Sequence, residues 1–97
     1  MKVTLHPAAE QDIEQAAAFY EREGTPLLAA RFIAEFKRVA ALMGGHPKIG
    51  SPRARGRRAF SMSIFPYTVI YSDSANEIKI LVVKHDRKRP GYGAKRL

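Results

Sequence analysis

Cysteine is absent from this chain, so neither a disulfide framework nor a thiolate metal site can be built from it, and the redox compartment stays undetermined. His6, His46 and His85 are scattered without metal-ligand spacing, and neither a metal nor another cofactor is expected. No apolar run approaches the length of a membrane span or a signal-peptide core, so no membrane partner is expected and the cytoplasm is the default location. Acids are scarce, nine Asp and Glu against seventeen Lys and Arg. The 97 residues fit one domain, 1–97, with room for a single modest core.

What is abundant is positive charge, and it is segregated. Lys48, Arg53, Arg55, Arg57 and Arg58 fall in one stretch without an acid, and Lys84, Arg87, Lys88, Arg89, Lys95 and Arg96 in another with only Asp86 opposing them. Eleven cations against one acid give these stretches +10, and the formal total of +8 leaves −2 for everything else. A cationic face of this kind predicts an anionic partner: nucleic acid, an acidic protein segment or a phosphate-rich machine.

The chain is organised around Tyr67 to Pro90. Tyr67, Val69 and Tyr71 alternate with Thr68 and Ile70, the period of a half-buried strand. Asp73, Ser74 and Asn76 supply turn chemistry. Ile78 to Val83 is apolar except for Lys79 and reads as a central strand, which delivers His85-Asp86-Arg87-Lys88-Arg89-Pro90 rigidly to its end. Upstream, Met1 to Leu5 alternates as a short strand. Pro7 suits a helix first turn, and Ile13, Ala16, Ala17 and Tyr20 recur at helical spacing to Arg22. Glu10, Asp12 and Glu14 sit early in that helix, where negative charge complements the dipole. Thr25 and Pro26 are an N-cap and first-turn proline for a second helix. Its stripe is Leu28, Phe32, Phe36, Val39 and Met43, and Gly44-Gly45 is expected to stop it through a positive φ. The short connection between the helices predicts an antiparallel hairpin. His46 to Gly56 reads as a long irregular loop, and Arg57 to Ile64 as a strand with Phe60, Met62 and Ile64 on one face. The order is β-α-α-β-β-β, the last three strands forming an antiparallel meander, with residues 85–97 as a basic C-terminal tail whose last part, Gly91 to Leu97, is expected to be short and mobile.

Phe65-Pro66-Tyr67, Tyr67-x-Val69-x-Tyr71 and Val82-Val83-Lys84-His85-x-Arg87-x-Arg89-Pro90 resemble the RelE/ParE superfamily of bacterial toxins. Ala8 with Asp12-Ile13, Ala30-x-Phe32 and His46-Pro47-x-x-Gly50 match in order and spacing, so the resemblance spans nearly the whole chain. The ending through Pro90-Gly91-Tyr92 is similar to the ParE, plasmid-stabilisation branch, although Gly93 stands where many relatives carry an anchoring Trp. The resemblance implies a two-layer α+β fold, a helical hairpin on one face of a mainly antiparallel sheet with the first strand beside the last. It implies a type II toxin, held in a hetero-oligomer by a cognate antitoxin: a small DNA-binding protein with an amphipathic, partly acidic C-terminal segment. Members like ParE poison DNA gyrase, and members like RelE cleave mRNA on the ribosome.

Three functions fit these residues. Docking on gyrase would use Arg58, Arg87, Lys88 and Arg89 as contacts, with Arg53, Arg55 and Arg57 meeting antitoxin acids. A ribosome-dependent mRNA endonuclease would use His85 or Tyr92 for proton transfer and Arg58 and Arg87 against the phosphate charge. His85 reads equally well as a strand-end residue bonded to backbone. A non-toxic nucleic-acid-binding module accounts for the charge but not for the long apolar stripes, and no aromatic–basic RNA-binding motif is present. The docking toxin is the reading expected here.

Overall fold

A computed structural model describes all residues, Met1–Leu97. Strand β1 (Lys2–Leu5) leads into helix α1 (Pro7–Glu23), and helix α2 (Pro26–Gly45) runs back against it. Both helices begin as local chemistry dictates. His6 Nδ1 accepts the Ala8 N–H at 3.0 Å, Thr25 Oγ1 accepts the Leu28 N–H at 3.1 Å, and a proline follows each cap. The second helix runs through Gly44-Gly45 instead of stopping there by a positive φ; it ends where the His46 N–H reaches the Leu42 carbonyl at 2.8 Å. Gly44 serves close approach: a Cβ there would lie 3.2 Å from the Met1 carbonyl oxygen.

The sheet contains one strand more than the sequence predicts. Ser51–Arg53 forms a short edge strand, β2, followed by a 3₁₀ turn over Ala54–Gly56, and then by β3 (Arg57–Ser61), β4 (Tyr67–Asp73) and β5 (Glu77–His85). Pro52 hid this strand, since proline is tolerated only at a sheet edge, which is where β2 lies. The order is β1-β5-β4-β3-β2, with β1 parallel to β5 and every other pairing antiparallel. The first strand therefore does lie beside the last.

The hairpin covers one face of this sheet. Ile13 and Ala16 from α1 and Phe32, Phe36, Val39 and Met43 from α2 meet Tyr67, Val69, Tyr71, Ile78, Ile80 and Val83. Strand β3 ends earlier than expected, at Ser61, and Ile64 leaves the sheet, 91% exposed with φ 72°. The turn lets Phe65 fold back into the core, its ring 5.3 Å from that of Phe32. Glu35 pins the turn: its carboxylate accepts the Ser63 N–H at 2.8 Å and two bonds from Arg38.

In β5 the register shifts, Ile70 pairing with Val82 and Tyr71 with Ile80, so Leu81 is a bulge residue. The shift keeps Ile80 and Val83 on the helix side and turns Val82 to the open face. The outer edge of β5 is unpaired by any strand beyond Ile80, because the β1 ladder ends with the His6 N–H on the Ile80 carbonyl at 2.8 Å.

Candidate functional site

The tail residues complete that open edge. Arg96 donates to the Leu81 carbonyl at 3.0 Å, and Asp12, reaching down from α1, accepts the Val83 N–H at 3.0 Å. Asp12 is 6% exposed, and its carboxylate also takes the Tyr92 hydroxyl at 2.6 Å and Arg96 at 2.6 and 3.3 Å. An acid read as a partner for the helix dipole is thus a buried anchor. Its position was signalled by spacing: Ala9, Asp12, Ile13 and Ala16 are the buried residues of α1, at i, i+3, i+4 and i+7.

The tail is therefore held down along its length, against the expectation of mobility. Beyond Tyr92 it crosses the open face of the sheet. Gly93 has φ 75°, and a Cβ on it would stand 2.6 Å from Val82 Cγ2, so glycine is what lets the backbone lie flat on the strand. Arg55 and Arg57 both donate to the Ala94 carbonyl, at 3.1 and 2.7 Å; Arg57 also donates to the Arg96 carbonyl, and Lys79 to Leu97 O at 2.7 Å.

Between this tail and β2–β3 lies a groove on the open face. Ala59, Ile70 and Val82 form its apolar floor, of which only Ile70 is partly exposed, with Arg53, Arg55, Lys84 and the acid Asp86 around it. Arg53 and Arg55 are exposed, but Arg57 is only 9% exposed and its guanidinium is occupied by the tail carbonyls. Of the three arginines expected to meet antitoxin acids, Arg53 and Arg55 are exposed, Arg55 while also holding the Ala94 carbonyl, and Arg57 is built into the groove.

The other sequence-predicted residues separate into two places. Arg58 lies beneath the His46–Gly50 loop, donating to the Gly50 carbonyl at 2.9 Å, with Asp73 at 3.7 Å from its Nε. His85 stands opposite Tyr67 on the β4–β5 ladder, while Arg58 stands opposite Tyr71. Four residues of strand separate those positions, roughly 13 Å. Arg58 therefore does not join His85, Arg87 and Tyr92 at one phosphate-sized site, nor Arg87, Lys88 and Arg89 at one contact patch. His85 is engaged locally: its Nδ1 accepts the Arg87 N–H at 3.0 Å, its carbonyl accepts the Lys88 N–H at 2.9 Å, and its ring packs edge-on against Tyr67. Arg87, Lys88 and Arg89 are exposed on the turn this creates. The turn is braced by Thr68 Oγ1 donating to Asp86 at 2.7 Å and by the Asp86 N–H on the Pro66 carbonyl at 2.8 Å.

The hydrogen bond to Asp12, and then burial, hold the Tyr92 phenol above the ordinary tyrosine range, so it is a protonated donor near neutral pH. No group of three or more His, Asp or Glu side chains converges as a metal site would require, and no helix is long and apolar enough to cross a membrane. What the site offers is a rigid, cationic, hydrogen-bonding surface beside an apolar groove.

Comparison with known proteins bears on this arrangement. Residues 3–90 match the family described as the ParE toxin of the type II toxin-antitoxin system parDE. Among solved structures, the chain is similar to one described as the chromosomal ParDE toxin-antitoxin system from P. aeruginosa. The TM-score is 0.77 at 17% identity, covering 88% of this chain and 95% of that one, a likeness of fold. No curated protein matches the sequence significantly.

Proposed function

This chain belongs to the ParE toxin family of type II toxin-antitoxin systems, and on that premise we propose that it acts by docking on DNA gyrase in the cytoplasm, without catalysing a reaction of its own. The exposed turn of Arg87, Lys88 and Arg89 is the target-facing element. The cognate antitoxin lays an amphipathic, acidic segment in the open-face groove, apolar residues against the partly exposed Ile70 and acids against Arg53, Arg55 and Lys84.

The observation that carries this reading is the dispersal of the groups a ribonuclease would need. Arg58 is roughly 13 Å along the strands from His85, His85 Nδ1 is taken by backbone, and the Tyr92 hydroxyl is given to a buried carboxylate. General acid–base work at a ribose would require such groups within hydrogen-bond reach of one substrate. Docking requires only rigid charge and shape, and the turn supplies both.

The test is supercoiling by purified gyrase, with the chain added alone and after mixing with its antitoxin. Inhibition by the chain alone, relieved by the antitoxin, is the expected result. Codon-specific cuts in ribosome-bound mRNA, abolished by His85→Gln and accompanied by normal supercoiling, would overturn the proposal.

A further inference from the structure

Asp12 holds more than the sheet edge. Its Oδ2 accepts the Val83 N–H and its Oδ1 the Tyr92 hydroxyl, so one carboxylate grips both ends of the segment between them. That segment, Lys84 to Gly91, carries Lys84, Arg87, Lys88 and Arg89 against Asp86 alone, a net +3 in eight residues. Like charges so close repel, and an exposed turn carrying them tends to open unless its ends are fixed. Arg96 neutralises the clamping carboxylate with a paired contact, and the Tyr92 ring in turn supports the Lys88 ammonium, 4.8 Å from its centroid. The family match ends at Pro90, short of both Tyr92 and Arg96.

We propose that Asp12 is a positioning residue for the target surface: through Val83 and Tyr92 it brackets the basic segment Lys84–Gly91, the end of β5 and the turn that follows it, and sets the shape in which Arg87, Lys88 and Arg89 are presented. The target half of this statement rests on the docking function proposed above; the clamp itself does not. The loop is a cationic patch pre-organised by a residue on a different element, and binding then does not have to supply the ordering of four charged side chains.

The test uses the full chain and separates the two halves. Tyr92→Phe removes only the far grip and leaves the Val83 cap and the Arg96 pair in place, so it should fold even where Asp12→Asn does not. Backbone order parameters and amide exchange over residues 84–91 are read in the wild type and Tyr92→Phe, together with the urea midpoint and supercoiling inhibition. The expected result is a loosened loop, a lowered urea midpoint that still leaves the chain folded without urea, and about a tenfold loss of inhibition by the folded chain, the equivalent of one hydrogen bond to a charged group. A loop as ordered as the wild type would overturn the clamp. A loosened loop with undiminished inhibition would overturn the positioning role. Wild type without effect on gyrase, beside a loop that loosens in Tyr92→Phe, would overturn the target and leave the clamp standing.

Discussion

The Tyr71 hydroxyl and the Gly50 N–H meet at 2.9 Å, and the same hydroxyl donates to the Pro47 carbonyl at 2.8 Å. One buried phenol on β4 thereby fixes the loop that leads from α2 to the edge strand. Gly50 is required at this contact, because a Cβ would come within 2.9 Å of the Tyr71 ring and hydroxyl. Tyr71→Phe leaves a buried N–H without its partner, so urea denaturation should show a loss of about 1–3 kcal/mol. A loss below about 0.5 kcal/mol would mean that water or another carbonyl takes over the bond.

The core stripe was plain in the sequence and its energetics follow. Phe36 is buried on α2 within the cluster that includes Phe32, Val39 and Met43. Phe36→Ala should lower stability by roughly 3–5 kcal/mol, a lost transfer term plus a cavity that the neighbours only partly fill. A change under about 1 kcal/mol in the denaturant midpoint analysis would place Phe36 outside the helix–sheet contact.

Elements with a strong period were legible, and those made by distant partners were not. Tyr67, Val69 and Tyr71 alternate because β4 has one covered face, and Thr25-Pro26 marks a helix start by local chemistry alone. Asp12 satisfied a local argument, the helix dipole, while its partners Val83, Tyr92 and Arg96 lie 71, 80 and 84 residues away. Arg57 and Arg58 look alike in sequence, yet adjacent strand positions point to opposite faces. One is buried under the tail and the other lies beneath the Gly50 loop. The order of the tail was hidden for a related reason: Gly93 reads as the loss of an anchoring aromatic, and only the position of Val82 shows that close packing demands it.

Glu35 gives the fold a defined acid sensitivity. The hydrogen bond from Arg38 first, with the Ser63 N–H adding to it, holds the Glu35 carboxyl below the usual carboxylate range despite an opposing effect of burial. A depressed folded value means that the contribution to stability is fully present above the unfolded value of about 4.3 and is lost as pH falls through the folded one. The stability difference between wild type and Glu35→Gln should therefore be constant from neutral pH down to about 5 and shrink below it. It should also be modest, because Arg38 is half-exposed to water. A difference that stays flat into strong acid would show that the ionised carboxylate adds nothing over the amide.

The pattern of loss across the basic turn distinguishes docking from catalysis. Arg87, Lys88 and Arg89 are exposed, and solvated charges of this kind contribute about 0.2–1 kcal/mol each. Single alanine variants should accordingly weaken gyrase inhibition by only about 1.5- to 5-fold. Inhibition should weaken as salt rises, since the Debye length contracts to about 8 Å at physiological ionic strength and further above it. His85→Gln should change inhibition less than twofold, roughly the scatter of a conservative replacement, because a glutamine side-chain oxygen can accept the Arg87 N–H that His85 Nδ1 accepts now. Arg58→Ala should act through stability, releasing the Lys48–Gly50 backbone, and inhibition per folded molecule should be retained. A catalytic site would give the opposite profile: about 10²- to 10⁴-fold lost at His85 alone, little at Lys88 and Arg89, and weak dependence on salt once substrate is saturating. Supercoiling assays on these five variants at two salt concentrations separate the profiles, and a steep loss confined to His85 would move this chain from docking to chemistry.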